Sequence, residues 1–230
     1  MTHAEVRRRI VEIGIVPVVR AGSAQEARLA VEAVHAGGVP IVELTMTVPG
    51  AIGLIAEVTK AMGNDVLVGA GTVLDAETAE RCIQAGAQFI VSPGFDLATV
   101  DRARRAAVVV MAGALTPTEV ITAWKAGSDF VKIFPCGAVG GPKYLKALKA
   151  PLPQVPMVPT GGVNFDTAAE FIRAGAEALG IGGELVSASA LASGKTGEIT
   201  QAARRYREIV SEARADGRSS SAVAQLARQG

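Results

Sequence analysis

Apolar residues in this chain gather into eight short runs that recur about every 20–25 residues. The runs are Ile15–Arg20, Ile41–Met46, Val66–Thr72, Phe89–Pro93, Val108–Gly113, Phe130–Pro135, Pro156–Thr160 and Ala178–Gly182. They are continuous and rich in β-branched residues rather than alternating, the pattern of parallel strands buried on both faces. Between them lie alanine-rich segments with apolar positions at helical spacing, such as Ala24–Ala36 and Ala76–Ala85. Several of these segments end on a glycine (Gly37, Gly86, Gly127, Gly175), the residue best suited to the left-handed turn past a helix. Three junctions repeat one another: Gln84-Ala85-Gly86-Ala87-Gln88-Phe89, Lys125-Ala126-Gly127-Ser128-Asp129-Phe130 and Arg173-Ala174-Gly175-Ala176-Glu177-Ala178. Each reads as helix end, glycine, small residue, polar residue, strand.

Eight such βα units predict an α/β fold, a closed (βα)8 or TIM barrel as a single domain over residues 1–210, preceded by an N-terminal helix. An open doubly wound sheet is the alternative, but it usually carries Gly-x-Gly-x-x-Gly after the first strand. Val19-Arg20-Ala21-Gly22-Ser23 is not that turn. Residues 211–230 are rich in Ala, Arg, Ser and Gly and read as a helix or tail without chemistry.

Composition narrows the class. The chain has 230 residues, 49% hydrophobic, ample for a sizeable core. A net charge of +1 and only 4% aromatics give no basic, aromatic-interleaved surface for nucleic acid. No run is long enough to span a membrane, and the charged segment Met1–Ile10 lacks the apolar core of a signal peptide. Two cysteines far apart, Cys82 and Cys136, fit a reducing cytoplasm better than a disulfide framework. The two histidines, His3 and His35, fall away from any strand end, so neither a zinc cluster nor a histidine triad is expected.

In a barrel of this kind chemistry sits where the strands end. Lys132 lies in the apolar run Phe130-Val131-Lys132-Ile133-Phe134, and a lysine is seldom buried without a partner or a purpose. Burial favours the neutral amine, which is the form that condenses with a ketone. Glu43 sits likewise inside Ile41-Val42-Glu43-Leu44-Thr45. Two opposite charges embedded in two strands reach each other across the interior, either as a structural ion pair or as a general acid/base beside an amine nucleophile. Arg20 ends the first strand, placed to bind a carboxylate or to hold Glu43. Gly161-Gly162 and Gly182-Gly183 follow the last two strands, where this fold often presents backbone N–H groups to phosphate. Thr47, Thr72, Pro93, Phe134 and Thr160 complete the strand-top candidates. Cys136 reads as a small filler and Trp124 as packing.

Taken together, Glu43-Leu44-Thr45-Met46-Thr47-Val48-Pro49, Gly69-Ala70-Gly71-Thr72-Val73, Phe89-Ile90-Val91-Ser92-Pro93-Gly94, Leu115-Thr116-Pro117, Val131-Lys132-Ile133-Phe134-Pro135 and Pro159-Thr160-Gly161-Gly162-Val163 are specific. From about Val11 to Arg205 the chain closely resembles the 2-keto-3-deoxy-6-phosphogluconate (KDPG) / 4-hydroxy-2-oxoglutarate (KHG) aldolase family. The resemblance implies a class I, metal-independent aldolase, usually a homotrimer, acting on a small keto acid and an aldehyde with no cofactor. It implies Lys132 as the Schiff-base former and Glu43 as the general acid/base. Thr72 and Thr160 then line the pyruvate half, and the Gly161 and Gly162 backbone holds phosphate. Two positions depart from the pattern. Thr47 stands where some members carry an arginine, and Gly183-Glu184 stands where phosphate-handling members carry a serine. Competing expectations are a phosphosugar epimerase or isomerase barrel, and a non-catalytic trimeric assembly protein.

Overall fold

The computed structural model describes residues 1–63 and 65–226, with side chains as far as residue 216. Eight strands run parallel: β1 (Ile15–Val19), β2 (Ile41–Thr45), β3 (Leu67–Gly71), β4 (Phe89–Val91), β5 (Val109–Ala114), β6 (Phe130–Ile133), β7 (Met157–Pro159) and β8 (Leu179–Ile181). Their spatial order, β7-β6-β5-β4-β3-β2-β1-β8, is sequential except that β8 returns beside β1. A bridge between Thr160 and Gly180 joins β7 to β8 and closes the ring. This is the (βα)8 barrel that the eight runs predict.

The helices are α1 (His3–Ile13), α2 (Ala24–Ala36), α3 (Ala51–Met62), α4 (Ala76–Gln84), α5 (Leu97–Arg105), α6 (Pro117–Lys125), α7 (Pro142–Lys149), α8 (Ala168–Arg173), α9 (Ala188–Ala192) and α10 (Thr196–Leu226). Local sequence sets several of their starts. Thr2 and Glu5 form a reciprocal capping box on α1, and Thr116 and Glu119 do the same on α6, where Pro117 occupies the first turn. Asp75 and Asp96 cap α4 and α5 through backbone N–H groups of Thr78 and Thr99.

One buried apolar cluster extends from Val6 to Ala213. The strands are buried along their whole length, which explains why the runs are continuous rather than alternating. The strands are shorter than the apolar runs: β4 stops at Val91 rather than Pro93, and β8 at Ile181 rather than Gly182. Proline has no N–H to continue a ladder, and glycine leaves a strand readily. Helix α10 runs unbroken through position 210, where the sequence reading divided barrel from tail. Residues 227–230 of that expected tail lie outside the described residues. Among the described residues, no helix is long and apolar enough to cross a membrane.

Helix α1 covers the N-terminal end of the barrel. His3 pairs with Asp129 at 3.0 Å, just before β6, and the Arg7 guanidinium lies 5.5 Å from the centre of the Phe130 ring. Val6 and Ile10 turn into the core. The opposite end, at the C-terminal ends of the strands, is left for the site.

Candidate active site

Side chains two apart on a strand share a face. On β6 and just past it, Phe130, Lys132 and Phe134 therefore form one column into the barrel. Arg7 meets the Phe130 ring from the floor, and Lys132 Nζ lies 5.3 Å from the Phe134 ring centre. On β2 the inward column is Ile41, Glu43, Thr45. Lys132 is 4% exposed and Glu43 2%. Lys132 Nζ and Glu43 Oε1 stand 3.7 Å apart. At that distance the contact is Coulombic rather than a hydrogen bond. Glu43 Oε1 has no hydrogen-bond partner among the described residues. A buried carboxylate oxygen left without a donor is costly. The arrangement keeps an unspent proton acceptor beside an amine.

Room for that pair comes from strand glycines. A Cβ on Gly71 of β3 would lie 2.0 Å from Glu43 Oε1, and one on Gly180 of β8 would lie 2.1 Å from Thr160 Oγ1. A Cβ on Gly113, which pairs with Lys132 in the sheet, would meet the Pro93 carbonyl at 2.3 Å. Glycine inside a strand commonly marks such a close approach. These glycines were visible in the chain, but only the register shows what each makes room for.

Arg20, Phe134, Thr160, Gly161, Gly162, Gly182 and Gly183 line one cavity of ≈ 170 Å³ at the strand ends, together with Glu184. Arg20 is exposed and makes no ion pair among the described residues, so it is available to a ligand and does not hold Glu43. The backbone N–H groups of Gly162, Val163, Gly183 and Glu184 have no protein acceptor among the described residues. Gly161 and Gly162 adopt φ of +83° and +78°, which turns their peptide edges as L-residues rarely allow. Two loops thus bring unspent donors to one cavity.

Thr47, Thr72 and Pro93 stand at the tops of β2, β3 and β4 and are not in that lining. Thr45 donates to the Val19 carbonyl at 3.0 Å, and its hydroxyl lies 2.6 Å from that of Thr47. Because Thr45 spends its one hydrogen on Val19, Thr47 is the donor in the pair and turns lone pairs outward. Nothing in the sequence announces this bond. Thr72 has φ +57°, an uncommon conformation for a β-branched residue. Such strain clusters at functional sites.

The remaining candidates separate cleanly. Cys82 and Cys136 are buried free thiols, and burial pushes both up to about 11. Cys136 donates weakly to the Gly141 carbonyl at 3.6 Å, as a filler would. Trp124 is exposed on α6 rather than packed into the core. No three His, Cys, Asp or Glu side chains among the described residues are placed to hold a metal ion.

Comparison with known proteins agrees with this geometry. Residues 6–202 match the family model for KDPG and KHG aldolase. The chain is 34% identical over 199 residues to a 2-dehydro-3-deoxy-phosphogluconate aldolase of Treponema pallidum (strain Nichols), covering 86% of this chain and 94% of that protein. Among solved structures, it is similar to a KDPG aldolase of Legionella pneumophila with pyruvate captured at low pH as a covalent carbinolamine intermediate. That match has a TM-score of 0.80 and 26% identity, covering 86% of this chain and 96% of that one. It is also similar to a cube-shaped, porous protein cage designed by fusing symmetric oligomeric domains, with a TM-score of 0.83 and 32% identity over 95% of this chain and 82% of that one. The epimerase and assembly-protein readings are not favoured by these matches. The chain belongs to the KDPG and KHG aldolase family and is an aldolase, a lyase built on a (βα)8 barrel.

Proposed function

We propose that this aldolase works through a Schiff base on Lys132, with Glu43 as the acid/base, and cleaves a 2-keto-4-hydroxy acid to pyruvate and an aldehyde. The observation that carries this reading is the buried amine 3.7 Å from an unpartnered carboxylate oxygen. The amine nitrogen, once deprotonated, attacks the C2 ketone to give a carbinolamine. Loss of water leaves an iminium, an electron sink next to C3. Glu43, directly or through a water, takes the proton from the C4 hydroxyl as the C3–C4 bond breaks. The aldehyde departs and the electron pair rests in the enamine. Protonation at C3 and hydrolysis release pyruvate and restore the amine. The iminium supplies the electron withdrawal that a metal supplies in other lyases, so no metal or cofactor is needed, and a chelator is expected to leave the rate unchanged.

The substrates this reading favours are KDPG, giving glyceraldehyde 3-phosphate, and KHG, giving glyoxylate. Thr72 and Thr160 face the pyruvate half. Arg20 and the free N–H groups of Gly162 and Gly183 suit an anionic end of the aldehyde half. Glu184 stands exposed on the same rim and repels a dianion more than a monoanion. A homotrimer in the cytoplasm completes the proposal. Leu74, 63% exposed in the loop after β3, and Leu97, 53% exposed at the start of α5, are apolar surface suited to a second copy.

The test is borohydride trapping with pyruvate, read by intact and peptide mass spectrometry. A pyruvate-derived adduct on Lys132 that is missing in K132A is the expected result. Folded protein with no adduct would sink the Schiff-base mechanism.

A further inference from the structure

The loop between β7 and α8 carries Gly161 and Gly162 and is braced from within. Thr167 donates its hydroxyl to the Gly162 carbonyl at 2.9 Å. Asn164 Oδ1 accepts from the backbone N–H groups of Asp166 and Thr167, both at 3.0 Å. The Asn164 N–H donates to the Thr167 hydroxyl at 3.0 Å. So the segment from Gly162 to Thr167 is tied together by its own hydrogen bonds, and within it stands Phe165.

Phe165 is held by the terminal helix. Its ring stacks on Tyr206 of α10 with centroids 4.4 Å apart and planes at 29°. The Arg205 guanidinium carbon lies 4.1 Å from the centre of the same ring. Tyr206 is fully buried, yet its hydroxyl has no hydrogen-bond partner among the described residues. Burial, and then the Glu184 carboxylate, push that phenol well above its ordinary value. A buried hydroxyl without a partner gains nothing for stability; the aromatic body of Tyr206 is what the fold uses here. Arg205 and Tyr206 lie beyond residues 6–202, the segment that matches the family.

We infer that the Arg205–Phe165–Tyr206 stack positions the β7–α8 glycine loop, making the terminal helix a determinant of how tightly this enzyme holds the anionic end of its aldehyde half. The inference rests on the reading that the glycine loops bind that end. None of the three side chains touches the reacting atoms, so they are positioning residues. The chemistry at Lys132 proceeds on β6 and does not depend on them.

The experiment compares kcat and KM of the wild type, F165A, R205Q and Y206F on KDPG and on KHG. F165A is expected to raise KM for the phosphorylated substrate about tenfold while kcat and borohydride trapping of pyruvate stay within about twofold. KHG, with its smaller anionic end, responds less. R205Q, an exposed change that leaves the core intact, shifts the same KM in the same direction by about threefold. Y206F keeps the ring and retains the wild-type KM. Should F165A fail to fold, R205Q alone decides. An unchanged KM in F165A and R205Q, with the wild type active on KDPG, would overturn the inference alone. Equal losses of kcat on both substrates would assign the stack a merely structural role and overturn it too. A wild type that traps pyruvate but cleaves no phosphorylated keto acid would overturn the reading of the glycine loops, and the inference with it.

Discussion

The two ends of this barrel are built from the same strands and obey different rules. At the floor, α1 satisfies what it buries: His3 meets Asp129, Arg7 covers Phe130, and Val6 and Ile10 fill the core. At the mouth, groups are left unspent. Among the described residues, Glu43 Oε1 is buried without a donor and the N–H groups of Gly162, Val163, Gly183 and Glu184 lack protein acceptors, and Thr72 is held at φ +57°. The buried acceptor without a donor and the left-handed threonine each cost stability, and the N–H groups are kept for the cavity rather than for the fold. The difference teaches that the floor stabilises the fold while the mouth consumes some of that stability to keep its chemistry ready.

The sharpest way to break this contrast is at the buried pair. K132A is expected to abolish turnover and the pyruvate adduct together, because the covalent partner is gone. E43Q keeps the shape but cannot take a proton. It should retain the adduct while cleavage falls about 10²–10⁴-fold. Rapid-quench assays with parallel trapping check both. An E43Q variant with full activity would move the acid/base to another residue. At the floor, I10A empties a fully buried site on α1 and should cost about 2–5 kcal/mol in urea unfolding. Its kcat is expected to stay at the wild-type value. A large fall in kcat at unchanged fold would mean that floor and mouth are coupled.

How much of this was legible before the structure follows from where the information lies. The eight strands could be read because parallel strands buried on both faces leave an unmistakable apolar run. Their ends could not, since ladder pairing stops before apolarity does. The apolar run Val66–Thr72 predicts a strand, yet Thr72 already turns left-handed and β3 ends at Gly71. Lys132 and Glu43 stood out because a charge inside an apolar run is anomalous on its own strand. Features that arise between strands were silent. The space Gly71 leaves for Glu43, the Thr45–Thr47 hydroxyl pair and the stack on Phe165 all depend on which segments become neighbours. Arg20 at a strand end suits either a carboxylate ligand or a tether for Glu43, and the second depends on packing the chain does not announce: Arg20 makes no ion pair among the described residues and lines the cavity rim.

The smallest predicted effects isolate backbone strain at the two ends. Thr72 at the mouth and Ala107 at the floor are the non-glycine residues with positive φ among the described residues, at +57° and +53°. T72G relieves its backbone but removes a hydroxyl that the proposed mechanism places on the pyruvate half. It should gain stability and lose about tenfold in kcat/KM. Ala107 has no such role. It sits in the turn from α5 to β5, where its N–H bonds to the carbonyl three residues back and the next N–H to the carbonyl five back from itself. Gly38, Gly86, Gly127 and Gly175 occupy the same place in four other helix-to-strand turns, with the same two bonds and φ of +80°, +100°, +91° and +99°. Ala107 is exposed, so its methyl group packs against little. Left-handed backbone costs an L-residue about 1–2 kcal/mol, and glycine gives back part of that through unfolded-state entropy. A107G is therefore expected to stabilise the barrel by about 0.5–1 kcal/mol in urea unfolding, with kcat and KM unchanged. A destabilised A107G would mean that the floor, too, holds a strained turn for a purpose, and the division of labour between the two ends would fail.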